Sequence, residues 1–187
     1  MTKEHRDTCY LTPTQELGQA FVARGITGSV VMLNLLRFRT IADYSASPEL
    51  TPPTAISGAE AFQRYISHTL PYLTETGGEV LFLGDGGRFL IGPESELWDM
   101  AMLVRQHSLE AFLSFASNRG YLAGIGHRIA ALEDSRLLPL VERRLPRLIA
   151  LTSRLDRAVV ASMEISRQRR KGPPKVQTSA WAGILGA

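Results

Sequence analysis

A chain of 187 residues, 44% hydrophobic and 21% charged, reads as one globular domain with an appendage. No apolar stretch approaches the ~20 residues of a membrane span, and the polar, acid-containing N-terminus Met1–Asp7 does not look like a secretory or transit leader. Cys9 is the only cysteine, which excludes an internal disulfide and points to a cytoplasmic protein; the net charge of +3 conceals residues 1–135 at −5 (10 Lys and Arg, 15 Asp and Glu) and residues 136–187 at +8 (11 against 3).

Thr14 to Arg24 predicts a short helix capped by Thr12 or Thr14, with Leu17, Ala20 and Phe21 on one face. Gly25 and Gly28 lead into Val30–Phe38, a strand apolar on both faces and therefore expected to be covered on both. Asn34 and Arg37 are an odd number of residues apart, so they leave that strand on opposite faces. Each needs a partner there, because an unpaired buried amide costs roughly 1–3 kcal/mol and a charge more.

Residues 40–56, with Pro48, Pro52 and Pro53, read as an irregular loop. Ser57 and Glu60 have capping-box spacing and open a helix with Phe62, Tyr65, Ile66, Leu70 and Leu73 on one stripe, stopped at Gly77-Gly78. Glu79–Gly84 predicts a strand, Asp85-Gly86-Gly87 a turn, and Arg88–Ile91 the returning arm. Leu97–Arg105 predicts a second strand covered on both faces, with Asp99 and Arg105 in phase. Ser108 caps a helix that Asn118-Arg119-Gly120 interrupts and Tyr121–Leu132 resumes. Glu133-Asp134-Ser135 reads as a turn before a short final strand Arg136–Leu138, placed at an edge by Pro139. From Pro146 to about Arg170 a basic amphipathic helix is expected, then a tail anchored by Trp181 at most.

The order predicts an α+β, ferredoxin-like βαββαβ antiparallel sheet with helices on one face. Its other face asks for a cover, and a second copy is the simplest, giving a homodimer in which two sheets pair as a barrel. The expected organisation is an N-terminal helical extension over 1–27, the sheet domain over 28–140, and a basic C-terminal helix and tail over 141–187.

Several segments recur in an order that resembles a known family: Val31–Phe38, Ser57-Gly58 with Ala61-Phe62 and Arg64-Tyr65, Gly77–Val80, Ile91-Gly92-Pro93, Trp98-Asp99 and Arg128–Leu137. Together they resemble the domain of unknown function 1330 family in its longer form, within the dimeric α/β-barrel superfamily, over roughly residues 28–140. The resemblance implies two ferredoxin-like sheets paired into a barrel, each covered outside by its own helices. Arg105-Gln106-His107-Ser108 departs from the family, which usually has Tyr-Pro before the capping serine, and the basic segment beyond residue 140 lies outside its pattern. No reaction carries over. The wider superfamily spans cofactor-independent monooxygenases, isomerases, decarboxylases, haem enzymes and ligand-sensing domains, so fold alone does not choose.

The residues themselves offer no phosphate-cradling glycine loop, nucleophile elbow, or metal or haem ligand spacing, and no cofactor is expected. A pocket between sheet and helices would gather Asn34 to hold a carbonyl or enolate oxygen and His68 or His127 as general base. Arg37 and Arg105 would hold an anionic group, with Tyr65, Trp98 and Asp99 completing a substrate-binding set. Each has a plain structural role as competitor: Asp99 in an ion pair with Arg37 or Arg105, Arg128, Asp134 and Arg136 tying helix to strand, Tyr65 and Trp98 in packing. The expected partner is a small, largely apolar organic ligand, handled by a cofactor-independent enzyme; the alternative is a non-catalytic sensor or scaffold. The run Arg167-Gln168-Arg169-Arg170-Lys171 lacks interleaved aromatics, so nucleic acid is not an expected partner.

Overall fold

A computed structural model describes residues 9–143. The expected helix from Pro146, the basic run 167–171 and the Trp181 tail lie outside the described residues.

Helix α1, Gln15–Ala23, starts where the Thr14 hydroxyl accepts the Leu17 N–H at 3.2 Å. Strand β1 is Val30–Phe38. Helix α2, Gly58–Glu75, carries the complete capping box: Ser57 Oγ accepts from Glu60 N–H, and Glu60 accepts from Ser57 N–H. It ends in a Schellman turn. Gly77, at φ +74°, donates to Thr74 O and Gly78 to Leu73 O, a left-handed conformation that favours glycine. Strands β2, Glu79–Arg88, and β3, Leu97–Gln106, follow. Helices α3, Leu109–Ala116, α4, Arg119–Ala123, and α5, Ile125–Ala131, then lead into β4, Leu132–Val141. Ser108 caps α3 as its position predicted, and Asn118, inside the expected interruption, caps α4.

The sheet order is β2-β3-β1-β4 with every neighbouring pair antiparallel, which is the ferredoxin-like arrangement. Several local expectations fail, among them Arg88–Ile91 as a returning arm, since β2 ends at Arg88 and residues 89–91 form no strand. Asp85-Gly86-Gly87 is not a turn: β2 runs through it, paired on β3 with Asp85 opposite Met100 and Gly87 opposite Trp98. A Cβ on Gly86 would stand 2.2 Å from the Trp98 carbonyl oxygen, so this glycine permits close strand approach rather than chain reversal. Nor is Glu133-Asp134-Ser135 a turn. It belongs to β4, whose register slips against β1 between Arg37 and Phe38, and the bulge absorbs the polar cluster. Pro139 sits, as required, on an edge strand, where its carbonyl accepts from Arg24 Nη1 at 3.1 Å.

The core lies between the helices and one sheet face. Leu36 and Leu132 from the sheet meet Ala61, Phe62 and Tyr65 of α2 and Ala130 and Ala131 of α5, with Tyr44 at the side and Met100 and Met102 packed against the group. The buried stripe of α2 is Ala61, Phe62, Tyr65, Thr69 and Leu73. Leu70, expected on that stripe, is exposed because its angular position falls beyond Thr69.

In β1, Val30, Met32, Asn34 and Leu36 are buried, while Val31, Leu33, Leu35 and Arg37 are half-buried. Leu36 assigns the buried phase to the helix side. One chain thus covers one face of its sheet and leaves the other, equally apolar, partly open.

Candidate functional site

Asn34 and Arg37 separate as their parity demands. Asn34, 8% exposed and in phase with Leu36, donates from Nδ2 to the Met32 carbonyl at 3.2 Å. Arg37 pairs across the other side with Glu133 at 3.7 Å and Asp134 at 3.8 Å. Asp99 pairs with neither Arg37 nor Arg105, contrary to expectation. Its Oδ2 accepts the Phe38 N–H at 2.7 Å, just beyond the last β1–β3 register pair, Leu36 with Met100. Arg105 donates Nε to Glu79 on the neighbouring strand at 2.8 Å, in an exposed cross-strand pair.

Trp98 is buried, and the Arg136 guanidinium stands 4.9 Å from its ring centroid and 4.8 Å from that of Tyr10. Arg136 also donates to Asp134 Oδ1 at 2.7 Å, and Asp134 accepts the Tyr10 N–H at 2.8 Å. Burial alone would raise the Asp134 carboxyl, but these hydrogen bonds outweigh it and hold the group below its usual range. Arg128 donates to Ser135 Oγ and to the Leu11 carbonyl. Arg128, Asp134 and Arg136 therefore tie helix to strand and also fasten residues 10–11 there.

The histidines sit in the helical layer. His68 Nε2 is 2.8 Å from the Gly120 carbonyl, which only accepts, so Nε2 carries the proton. Tyr65 is a core residue with its hydroxyl 3.4 Å from that of Tyr121, whose phenol is pushed up by burial and then by Tyr65. His127 Nδ1 is 2.9 Å from the Tyr44 hydroxyl, the rings meeting edge to face at 85°. Burial first, then the charge of Arg64 and the nearness of His68, lowers the His127 pKa from 6.5, so the ring is held neutral. Burial raises the Tyr44 phenol in turn. The His68 ring packs against Gly124, whose carbonyl accepts the His127 N–H at 3.1 Å, so the two histidines meet across that residue. Asn34, Arg37, Asp99 and Arg105 each bond other partners, and none of these bonds joins them to either imidazole.

Tyr44 also lines an open groove of about 380 Å³, with Ala42, Ser45, Pro48, Pro52 and Ile56 among its walls. Its loop is pinned on α5: a Cβ on Gly126 would stand 2.3 Å from Ser47 Oγ and 2.8 Å from Leu50 Cδ1. The groove therefore has apolar walls and one phenol, and that phenol is hydrogen-bonded to a neutral imidazole that is not itself among the lining residues. Tyr44 escaped the sequence reading because it lies in the aperiodic stretch 40–56. A lone large aromatic in a proline-rich loop was the signal available, since such a ring needs an anchoring contact.

A pH dependence follows. Since the folded pKa of His127 lies below 6.5, the unfolded chain binds its proton first as pH falls. The contribution is complete above 6.5 and is lost below it. Stability should therefore decline as pH drops below about 6.5, and His127→Gln should flatten that part of the profile in urea titrations at stepped pH. The Asp134 contribution is lost only below its ordinary 3.8, so the two windows separate.

Among the described residues no helix is long and apolar enough to cross a membrane. No family model and no curated protein matches the sequence. A crystal structure of the methylated RPA0582 protein is 34% identical with TM-score 0.66, covering 73% of this chain and 97% of that one. A second structure of RPA0582, a protein of unknown function from Rhodopseudomonas palustris, is 33% identical with TM-score 0.65, covering 74% of this chain and all of the other. A dabb-family protein with a ferredoxin-like fold from Mesorhizobium loti is 10% identical with TM-score 0.38, covering 63% of this chain and all of that one. At a third of residues identical over nearly the whole of the Rhodopseudomonas palustris protein, the chain belongs to the family of RPA0582.

Proposed function

We propose that this protein is a homodimer that binds a small, largely apolar organic molecule in the groove beside Tyr44, with the Tyr44–His127 pair as its polar anchor. The observation that carries this reading is the neutral imidazole hydrogen-bonded to a phenol lining that groove. An apolar wall with a few placed polar groups is the usual make-up of a small-molecule site. His127 is the general base of the proposed cofactor-independent chemistry, and Tyr44 polarises a carbonyl or enolate oxygen. His68 supports from the neighbouring helix face. Asn34, the amide in β1, serves the fold rather than the ligand, and we assign the chain to the domain of unknown function 1330 family in its longer form.

Thermal shift against a panel of aromatic and polyketide-like compounds tests the ligand. A binder should stabilise the wild type, and Tyr44→Phe should weaken it up to about tenfold, the worth of one hydrogen bond in an apolar site. If no compound shifts the protein, or Tyr44→Phe binds equally well, the groove reading fails. Acid–base turnover of a bound compound that vanishes in His127→Gln separates an enzyme from a non-catalytic sensor.

The dimer rests on the open sheet face, where Val31, Leu33 and Leu35 are half-buried in a single chain. The wild type should sediment as a dimer, and Leu33→Lys should sediment as a folded monomer. A monomeric wild type would remove this half of the reading.

A further inference from the structure

We propose that the junction of α5 and β4 is a peptide-recognition cradle, which Tyr10 and Leu11 fill as a releasable strap. The partner it fits is an extended peptide carrying an aromatic residue followed by an aliphatic one. The cradle lies outside the residues that line the Tyr44 groove, so it stands or falls without that reading.

Side chains between Arg128 and Ser135 hold the main chain of one dipeptide. Asp134 Oδ1 accepts the Tyr10 N–H at 2.8 Å, the Ser135 hydroxyl donates to the Tyr10 carbonyl, and Arg128 Nη1 donates to the Leu11 carbonyl. The N–H and C=O of Tyr10 thus point to one side, as they do along an extended chain. Asp134 and Ser135 are 4% and 5% exposed, so buried polar groups are arranged around a main-chain partner. Without that partner the Ser135 hydroxyl, which Arg128 Nη2 already approaches as a donor, would lose its acceptor.

Side chains supply the preference that main-chain bonds lack. The Tyr10 ring centroid lies 4.8 Å from the Arg136 guanidinium, which also meets Trp98 at 4.9 Å, and Leu11 packs against the core. The Tyr10 hydroxyl makes no hydrogen bond among the described residues, so another aromatic ring would fit as well. The strap is releasable because of its place. Residues 9–14 belong to no helix or strand, and Tyr10 is 53% exposed and 124 residues from Asp134 along the chain. Lifting it breaks no ladder and no helix. While tethered, it competes at an effective concentration on the order of millimolar, which an incoming peptide must overcome. Peptide recognition by main-chain bonds with side-chain selection is the mode this arrangement follows.

The test uses the full chain and a fluorescein-labelled, end-blocked hexapeptide, Thr-Ser-Tyr-Leu-Thr-Pro, read by fluorescence anisotropy. Removing both strap side chains, Tyr10→Gly with Leu11→Gly, should raise its affinity about tenfold or more over the wild type. Adding Arg128→Gln should erase that gain, and a hexapeptide with alanines in place of the Tyr-Leu pair should bind neither protein. Equal binding by the wild type and the strap variant, equal binding of the two peptides, or a gain that survives Arg128→Gln overturns the inference. Hydrogen exchange in the wild type gives a reading that depends on no variant. The Tyr10 amide should exchange roughly a hundredfold faster than those in the middle of β1, and excess hexapeptide should speed it about tenfold further. A Tyr10 amide as slow as the middle of β1, or one the peptide leaves unchanged, overturns the inference equally.

Discussion

Gly58→Ala should cost about 3 kcal/mol or prevent folding, at the upper end of what overpacking does. A Cβ there would stand 2.4 Å from the Ala131 carbonyl oxygen, 2.5 Å from the Arg39 carbonyl oxygen and 2.7 Å from the Arg39 nitrogen. All three are backbone atoms, so no side chain can swing aside. They are also hydrogen-bonded through one another: Gly58 N–H donates to Arg39 O, and Arg39 N–H to Ala131 O. The substitution therefore pries apart the end of β1, the start of α2 and the end of α5 together. Gly87→Ala is the control. Nothing lies within 4 Å of its Cβ position, so its urea midpoint should stay put or rise slightly. A Gly58→Ala protein with the wild-type midpoint would show that the three segments are not locked in this way.

The second large effect is expected at Phe62, which is 1% exposed and lies with its ring centroid 5.3 Å from Phe38 and 5.4 Å from Tyr65. Phe62→Ala should lose about 3–5 kcal/mol, the transfer of the ring plus the void it leaves. The void opens beneath Tyr65, so the loss should exceed that of Ile66→Ala, whose side chain is only partly buried against the same core. Chemical denaturation of both variants reads the difference, and equal losses would place the centre of the core elsewhere.

The fold was legible because its signals are local and redundant. Ser57 with Glu60, Gly77 with Gly78, and the unbroken apolar run of β1 each specify an element from adjacent residues. Where the reading failed, the deciding contact was distant in sequence. Gly86 is a turn residue by composition, and only the Trp98 carbonyl across the ladder makes it a strand residue. Glu133-Asp134-Ser135 looks like a turn until Arg37, Arg136 and Tyr10 supply its partners. Of the proposed site, parity separated Asn34 from Arg37, and two helical histidines stood as alternative general bases, His68 or His127. Tyr44, the partner of His127, lies 83 residues away in an aperiodic loop, and no pattern along the chain connects them.

The Arg24 bond to the Pro139 carbonyl limits how this molecule can polymerise. Along the outer rim of β4, proline offers no N–H and the adjacent acceptor is already taken, so an incoming strand finds a gap where it needs a rung. The rim of β2, with Val80–Leu83 exposed, carries no proline among the described residues, though its register against β3 shifts between Val80 and Phe82. A head-to-tail stack would have to join β2 of one molecule to β4 of the next, and that joint is spoiled. Among the described residues, growth by strand addition is then left to the β2 rim, and two such rims meeting would consume each other. Such assembly stops at two copies instead of running on into a fibre.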